Sequence, residues 1–330
     1  MRAAVVAIAG PALDAGEAAL LARHPPAGVI LFARNIRDPA QLAGLVAALR
    51  AVLGAEAVLL VDQEGGRVAR LGPPHWRAHP PAGRIGALFA RDEAAGERAA
   101  WLSGALIGLD CRTGGFDVVC APVLDLRLPG AHDVIGDRAF GADPRSVGRL
   151  GRAFADGLLA AGLQPVIKHI PGHGRARADS HVELPRVDAA DLAADLAPFA
   201  ANADMPWAMT AHILYPVWDA ARPATLSPRV ISEVIRGRLG FAGVLVSDDL
   251  AMRALAGHPA SLARRALAAG CDLALHCTGV LEETGSLLAD CPEVAAAAAS
   301  RMAAGRRRAE RSRRDVDGPA LAAERDRLLA

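Results

Sequence analysis

The sequence contains almost no lysine. Of its 37 basic residues, 36 are arginine, and the only lysine is Lys168. A lysine ammonium group is a compact point charge, whereas the arginine guanidinium is a broad planar fork, so the two are not interchangeable in a small pocket. We therefore expect Lys168 to be functional. The scarcity of lysine also excludes a Walker A phosphate loop, which needs lysine directly after glycine, because Lys168 follows Ile167.

An excess of one charge, long apolar runs and paired cysteines are also missing. The net charge of +1 creates no broad field to attract nucleic acid or an anionic membrane. No apolar run approaches the ~20 residues of a membrane-spanning helix. The apolar N-terminus is short and Asp14 follows it, which favours a buried strand over a secretory signal. The five cysteines include no CxxC pair and are typical of reduced thiols, so we expect a cytoplasmic protein.

Short apolar runs alternate with longer segments rich in alanine and leucine. The short runs predict strands at 5–9, 28–32, 57–62, 116–123, 165–169, 207–212, 243–247 and 272–276. The longer segments predict helices, among them 39–53, 145–161, 189–201, 228–238 and 259–269. Apolar strands separated by helices indicate a parallel sheet covered on both faces. Eight such units predict a single-domain (β/α)8 TIM barrel over residues 1–330, with a doubly wound open sheet as the alternative.

The C-terminal segment, about 292–330, is rich in arginine. A basic cluster can contact nucleic acid, but no aromatic residues interleave with these arginines and the whole chain is nearly neutral. We therefore expect a terminal helix whose arginines face solvent, and no nucleic-acid partner.

Polar residues cluster where the predicted strands end. These groups are Asp62 with Glu64, Asp125, Lys168 with His169, His212, and Ser247 with Asp248 and Asp249. The C-terminal ends of the strands form the face on which barrel enzymes build their active sites. The sequence therefore predicts an active site at this face.

Three kinds of chemistry fit these residues. A metal-dependent hydrolase could use His169, His173, His181, His212 and Asp248, although no HxH or HExxH spacing occurs and a neighbouring lysine would repel a cation. A Schiff-base enzyme could use Lys168. In the third chemistry Asp248 is a nucleophile, and Asp179 orients His181 as a proton shuttle, in the manner of a retaining glycosidase.

Seven short motifs carry a resemblance to a known family. They are DQEGGRVARL (62–71), APVLDL (121–126), GDRAFG (136–141), KHIPGHG (168–174), DSHVELP (179–185), RPATLS (222–227) and SDDLAM (247–252). With them the sequence closely resembles the bacterial β-N-acetylhexosaminidases of glycoside hydrolase family 3, of the cytoplasmic type that recycles muropeptides. Ile170 stands where phenylalanine is more usual, a conservative change.

The resemblance implies a retaining exo-β-N-acetylglucosaminidase that works through a covalent glycosyl-enzyme. It implies that Asp248 is the nucleophile, His181 the general acid/base and Asp179 its partner. The residues implied to bind the N-acetylglucosamine (GlcNAc) unit are Asp62, Arg70, Arg138, Lys168 and His169. The implied substrate is GlcNAc-1,6-anhydro-N-acetylmuramic acid with or without its peptide, and we expect a monomer with no cofactor and no metal. A sugar-binding protein without catalysis is a further alternative, against which the full set of catalytic residue types argues.

Four neighbouring residues have supporting roles in this interpretation. Glu64 is expected to orient an arginine, and His173 to shape its loop by hydrogen bonding. Asp249 is expected to be structural, and His212 to lie behind the residues that touch substrate.

Overall fold

The computed structural model describes residues 1–330, and its strands close into one parallel barrel. The strands are β1 (Arg2–Ala7), β2 (Pro26–Leu31), β3 (Val58–Val61), β4 (Val118–Val119), β5 (Gln164–Ile170), β6 (Trp207–Thr210), β7 (Val244–Asp249) and β8 (Leu273–His276). Each strand pairs with the next, and β8 pairs with β1, so that no edge remains. The predicted (β/α)8 barrel is confirmed, and the open doubly wound sheet is excluded.

Helices surround the barrel. They are α1 (Ala15–Arg23), α2 (Pro39–Leu53), α3 (Ala82–Phe89), α4 (Glu93–Thr113), α5 (Pro144–Ala160), α6 (Ala193–Ala200), α7 (Pro259–Ala269) and α8 (Leu281–Asp290), with a π-helix at Val230–Arg238. The bounds of α2 and α7 match the prediction because local signals set them. Asp38 caps α2 by accepting a hydrogen bond from the Gln41 amide. Gly270 ends α7 in the left-handed conformation, with a φ of 116°.

Strand β4 is much shorter than predicted. The sequence indicates a strand over 116–123, but regular pairing covers only Val118–Val119. Pro122 has no amide hydrogen to donate, so the regular strand ends before it. Backbone hydrogen bonds to β5 continue nevertheless: the Lys168 amide donates to the Pro122 carbonyl at 3.2 Å, and the Leu124 amide donates to the Lys168 carbonyl at 2.7 Å. The chain after β4 is thereby held against the end of β5.

The arginine-rich segment forms two helices, α9 (Ala296–Ser312) and α10 (Gly318–Leu329). Three arginines of α9 pair with carboxylates that lie one to three residues before a strand: Arg301 with Asp272 at 2.6 Å, Arg306 with Glu56 at 3.0 Å and Arg308 with Asp204 at 3.0 Å. The expectation that the arginines all face solvent is therefore wrong. Seven residues are two helical turns, so Arg301 and Arg308 lie on one face, which packs on the N-terminal end of the barrel.

None of the helices is long and apolar enough to span a membrane.

Candidate active site

A cavity of about 240 Å³ lies at the C-terminal ends of the strands. Its polar lining includes Asp62, Glu64, Arg70, Arg138, Lys168, His169, His181 and Asp248. Its apolar lining includes Ile30, Phe32, Val68, Val134, Ile135, Met209, Met252 and Leu275. The structure thus brings together seven of the eight predicted site residues, and the eighth, Asp179, bonds to His181. The volume lies below the ~300–1,000 Å³ of pockets for drug-sized ligands and suits one sugar unit.

A larger open groove of about 1,160 Å³ lies elsewhere, on the outer surface of α4 and α5. It contains none of the residues at the strand ends. The smaller cavity is therefore the candidate active site.

Five side chains of alternating charge form one wall of the cavity. Arg70 lies 3.5 Å from Asp62, whose Oδ1 accepts from Lys168 Nζ at 2.9 Å. Lys168 Nζ also lies 2.7 Å from Glu64 Oε1. Glu64 in turn accepts two hydrogen bonds of 2.8 Å from Arg138, which confirms its predicted role of orienting an arginine. Each of these five charged groups therefore has at least one neighbour of opposite sign.

Lys168 is held as an ammonium ion. Burial alone would lower its pKa, since only 3% of the side chain is exposed, but Asp62 and Glu64 raise the pKa above its ordinary value. A Schiff-base nucleophile must be a neutral amine, so this environment disfavours that alternative. An ammonium group has three hydrogens, and the protein engages two of them. The third can be donated to a ligand.

Asp248 and Asp249 occupy different environments at the end of β7. Burial would raise the pKa of Asp248, but His169, His212 and the Asp249 amide, which donates at 2.8 Å, hold it below the ordinary value. Burial and the neighbouring Asp248 raise the pKa of Asp249. The carboxylate of Asp249 accepts from two backbone amides, those of Ala251 and Cys277, both at 3.0 Å. Both residues border the cavity, but Asp249 is structural, as predicted, because its carboxylate is engaged by backbone amides, whereas Asp248 is ionised.

His181 and Asp179 form a pair at the cavity mouth. His181 Nδ1 lies 2.7 Å from Asp179 Oδ1, which also accepts from the His181 amide at 2.9 Å. A carboxylate only accepts, so Nδ1 carries the hydrogen and Nε2 is left to exchange a proton. Burial would raise the pKa of Asp179, but its bonds to His181 lower it. The His181 side chain is 64% exposed, so a reacting group can reach it.

Asp125 organises the cavity from behind and was not among the predicted site residues. Its buried carboxylate accepts from His169 Nδ1 at 2.7 Å and from the amides of His169 and His173 at 3.2 and 2.6 Å. The bond to Nδ1 leaves His169 Nε2 without a partner in the protein. The only sequence signal for a role of Asp125 was its position at a predicted strand end. The sequence did not indicate which residues it would contact.

The four histidines do not form a metal cage. His212 Nε2 donates to the Asp249 carbonyl at 3.0 Å, and His173 Nε2 lies 3.3 Å from Ser180 Oγ. Burial lowers the pKa of His173 to about 4. No group of three or more histidine, cysteine, aspartate or glutamate side chains is arranged to hold a metal ion. His212 lies outside the cavity lining, as expected, whereas His173 makes the expected hydrogen bond within its loop and also borders the cavity.

Comparison with known proteins places these features in a family. The model of the glycosyl hydrolase family 3 N-terminal domain matches residues 4–312. A curated β-hexosaminidase of Bordetella avium is 43% identical over 282 residues, which cover 83% of this chain and 79% of that protein. One of Thiobacillus denitrificans is 44% identical over 257 residues, which cover 76% and 71%. NagZ of Neisseria gonorrhoeae, solved with N-trifluoroacetyl-D-glucosamine, has 32% identity and a TM-score of 0.88 over 100% of this chain and 98% of its own.

A closed β/α barrel with an ionised carboxylate in a small polar cavity at the strand ends, together with these relatives, defines a glycoside hydrolase. The chain belongs to glycosyl hydrolase family 3 and, within it, to the β-N-acetylhexosaminidases.

Proposed function

We propose that the protein is a retaining exo-β-N-acetylglucosaminidase that removes terminal β-linked GlcNAc from muropeptides. The substrate is GlcNAc-1,6-anhydro-N-acetylmuramic acid with or without its peptide, and the enzyme acts as a cytoplasmic monomer in cell-wall recycling. One observation carries the proposal: an ionised carboxylate, Asp248, and an imidazole oriented by a carboxylate, His181, line the same small cavity. A carboxylate and a proton shuttle are the two groups that retaining hydrolysis needs.

In the first step Asp248 attacks the anomeric carbon and forms a glycosyl ester while the glycosidic bond breaks. Protonated His181 donates its Nε2 proton to the departing oxygen. The hydrogen bond from Nδ1 to Asp179 fixes the orientation of the ring and stabilises the imidazolium form. In the second step neutral His181 takes a proton from water, the resulting nucleophile attacks the anomeric carbon, and Asp248 leaves as a carboxylate.

The charged wall of the cavity is suited to binding sugar hydroxyls and the acetamido group. Lys168 retains one hydrogen to donate, and His169 retains Nε2. Asp62 can accept from hydroxyl groups, while Arg70 and Arg138 supply further donors. The bound N-trifluoroacetyl-D-glucosamine in NagZ of Neisseria gonorrhoeae supports a ligand of this class. A cavity of about 240 Å³ also limits binding to one terminal unit, which favours exo action.

Mass spectrometry after incubation with a 5-fluoro-N-acetylglucosaminyl trapping reagent tests the proposal. We expect one sugar adduct per chain, on the peptide that contains Asp248, and no adduct in the D248A variant. In parallel, the purified disaccharide and its peptide-bearing form should be cleaved to free GlcNAc of β configuration, followed by NMR. A label on another residue would refute the nucleophile assignment. Cleavage of an aryl β-GlcNAc glycoside but of neither muropeptide would refute the proposed substrate.

A further inference from the structure

A second cavity, of about 400 Å³, lies between the loops that follow β4 and β5. Residues 128–131 form one side, and Arg175, Arg177 and Arg186 contribute to the other. The two loops are joined where the His132 amide donates to the Ala176 carbonyl at 2.9 Å. Both loops also contribute to the candidate active site, the first through Arg138 and the second through His181. We call this second cavity the rim cavity.

The rim cavity has an excess of positive charge. Arg186 pairs with Asp188 at 2.7 Å, and Arg175 pairs at 2.6 Å with Asp195. Arg177 is exposed and forms no ion pair or side-chain hydrogen bond in the structure. A guanidinium group presents a planar fork that binds a carboxylate or phosphate through two parallel hydrogen bonds. The chemistry of the rim cavity therefore suits an oxyanion.

The rim cavity is within reach of the leaving group of the proposed reaction. That group must lie against His181, which protonates its oxygen. Arg177 precedes His181 by four residues, so their Cα atoms are at most about 14 Å apart even in a fully extended chain. A stem peptide of about four residues spans a similar length. A carboxylate on such a stem can therefore meet Arg177 while the sugar occupies the active site.

We propose that the rim cavity binds a carboxylate of the peptide stem on the departing anhydromuramic acid, with Arg177 as its main contact. This inference rests on the proposed function. It makes the loop that carries His181 a substrate-recognition element as well, because Arg177 and His181 lie on the same segment. The peptide-bearing substrate is then bound more tightly than the bare disaccharide.

The test compares kcat/KM for three substrates: the bare disaccharide, the disaccharide with its peptide, and the same peptide with its carboxylates amidated. The wild-type enzyme should prefer the acidic peptide over the bare disaccharide about 5-fold, the gain expected of an exposed ion pair of about 1 kcal/mol. Amidation should remove the preference. R177A should reduce this ratio to about 1, mainly through KM, and R177K should retain part of it. R307A is the matched control, because Arg307 is also exposed and unpaired but lies on α9.

Other outcomes overturn the inference. If the wild-type enzyme cleaves all three substrates equally, or R177A lowers kcat/KM by the same factor on each, the rim cavity does not bind the stem, although the proposed function stands. If inorganic phosphate changes the rate on an aryl β-GlcNAc glycoside and R177A abolishes that effect, the site serves a free anion. If only aryl glycosides are cleaved, the proposed substrate fails and the inference fails with it.

Discussion

The two ends of the barrel use ion pairs in different ways. At the N-terminal end, Arg301, Arg306 and Arg308 join α9 to carboxylates. These arginines are 28–34% exposed, and of their partners only Asp272 is buried. At the C-terminal end, Lys168 is 3% exposed between Asp62 and Glu64. An exposed pair contributes about 0–1 kcal/mol to stability. Removing one partner of a buried pair costs about 3–5 kcal/mol because it leaves an uncompensated charge.

The difference shows that charged side chains are buried at the C-terminal end of the barrel, where their desolvation costs free energy. The arginines of α9 fasten a helix over the closed end of the barrel. The charged cavity wall around Lys168 is costly to desolvate. It still has hydrogen-bond donors and acceptors that no protein group engages and that face the cavity, such as the third hydrogen of Lys168. Charges at one end therefore secure the fold, and charges at the other are available to a ligand.

The largest expected effect is that of D248A, which should reduce kcat by more than about 10⁴-fold because the attacking carboxylate is lost. Steady-state kinetics on an aryl β-GlcNAc glycoside measures this loss. D249N is the matched control: it keeps the oxygen that accepts from Ala251 and Cys277, so it should remain far more active. Equal losses in the two variants would show that the adjacent aspartates do not have separate roles.

H181A should slow cleavage of the disaccharide by about 10²–10⁴-fold, the usual contribution of a general acid or base. The loss should be much smaller in the glycosylation step of aryl glycosides with acidic leaving groups, which need little protonation. Pre-steady-state bursts and kcat/KM across a leaving-group series separate the steps. The same loss for every leaving group would contradict the acid role of His181.

The comparison between the two ends is tested directly by K168M and R308M. K168M removes the cation that Asp62 and Glu64 share but leaves each of them one arginine. It should therefore lower the free energy of unfolding by more than about 1 kcal/mol and by less than the ~3–5 kcal/mol of a fully uncompensated buried charge. R308M removes an exposed partner of Asp204 and should lower it by less than about 1 kcal/mol, with activity unchanged. Urea unfolding of both variants at pH 7 measures the two losses. Similar losses would mean that the two ends do not differ in the way described.

A further effect, seen only in acid, concerns the pH dependence of stability. Burial would raise the pKa of Glu64, but Lys168 and Arg138 hold it well below its ordinary value of about 4.5. Below that pH the unfolded chain takes up a proton that the folded protein does not, so stability falls as pH falls, by up to about 1.4 kcal/mol per pH unit. E64Q should flatten this decline between pH 4.5 and 3. An unchanged slope in urea unfolding would show that Glu64 is not ionised in the folded protein over this range.

Much of the fold could be predicted because local chemistry repeats along the chain. All eight predicted strands overlap observed ones, since each is a short apolar run. The bounds of α2 and α7 followed from signals within a few residues of each end. The sequence also predicted that the polar residues at the strand ends would lie together at one end of the barrel, because every strand of a parallel barrel ends on the same face.

The contacts among those residues could not be predicted in the same way. Neighbouring residues in a strand normally point to opposite faces, yet Lys168 and His169 both line the cavity. The pairing of β5 with β6 shifts register between Lys168 and Ile170, an irregularity that the sequence does not signal. The partners of Asp125 were likewise unpredictable, since they lie more than 40 residues away along the chain.

The sequence by itself determined the barrel, the face that carries the site and the residue types that meet there. These depend on periodicity and on short motifs, which are local properties of the chain. Only the tertiary structure decided that Lys168 stays charged, that Asp248 is ionised while Asp249 is structural, and that the arginines of α9 are engaged. The physical reason is that pKa values and ion pairs depend on burial and on neighbours that the closing of the barrel brings together.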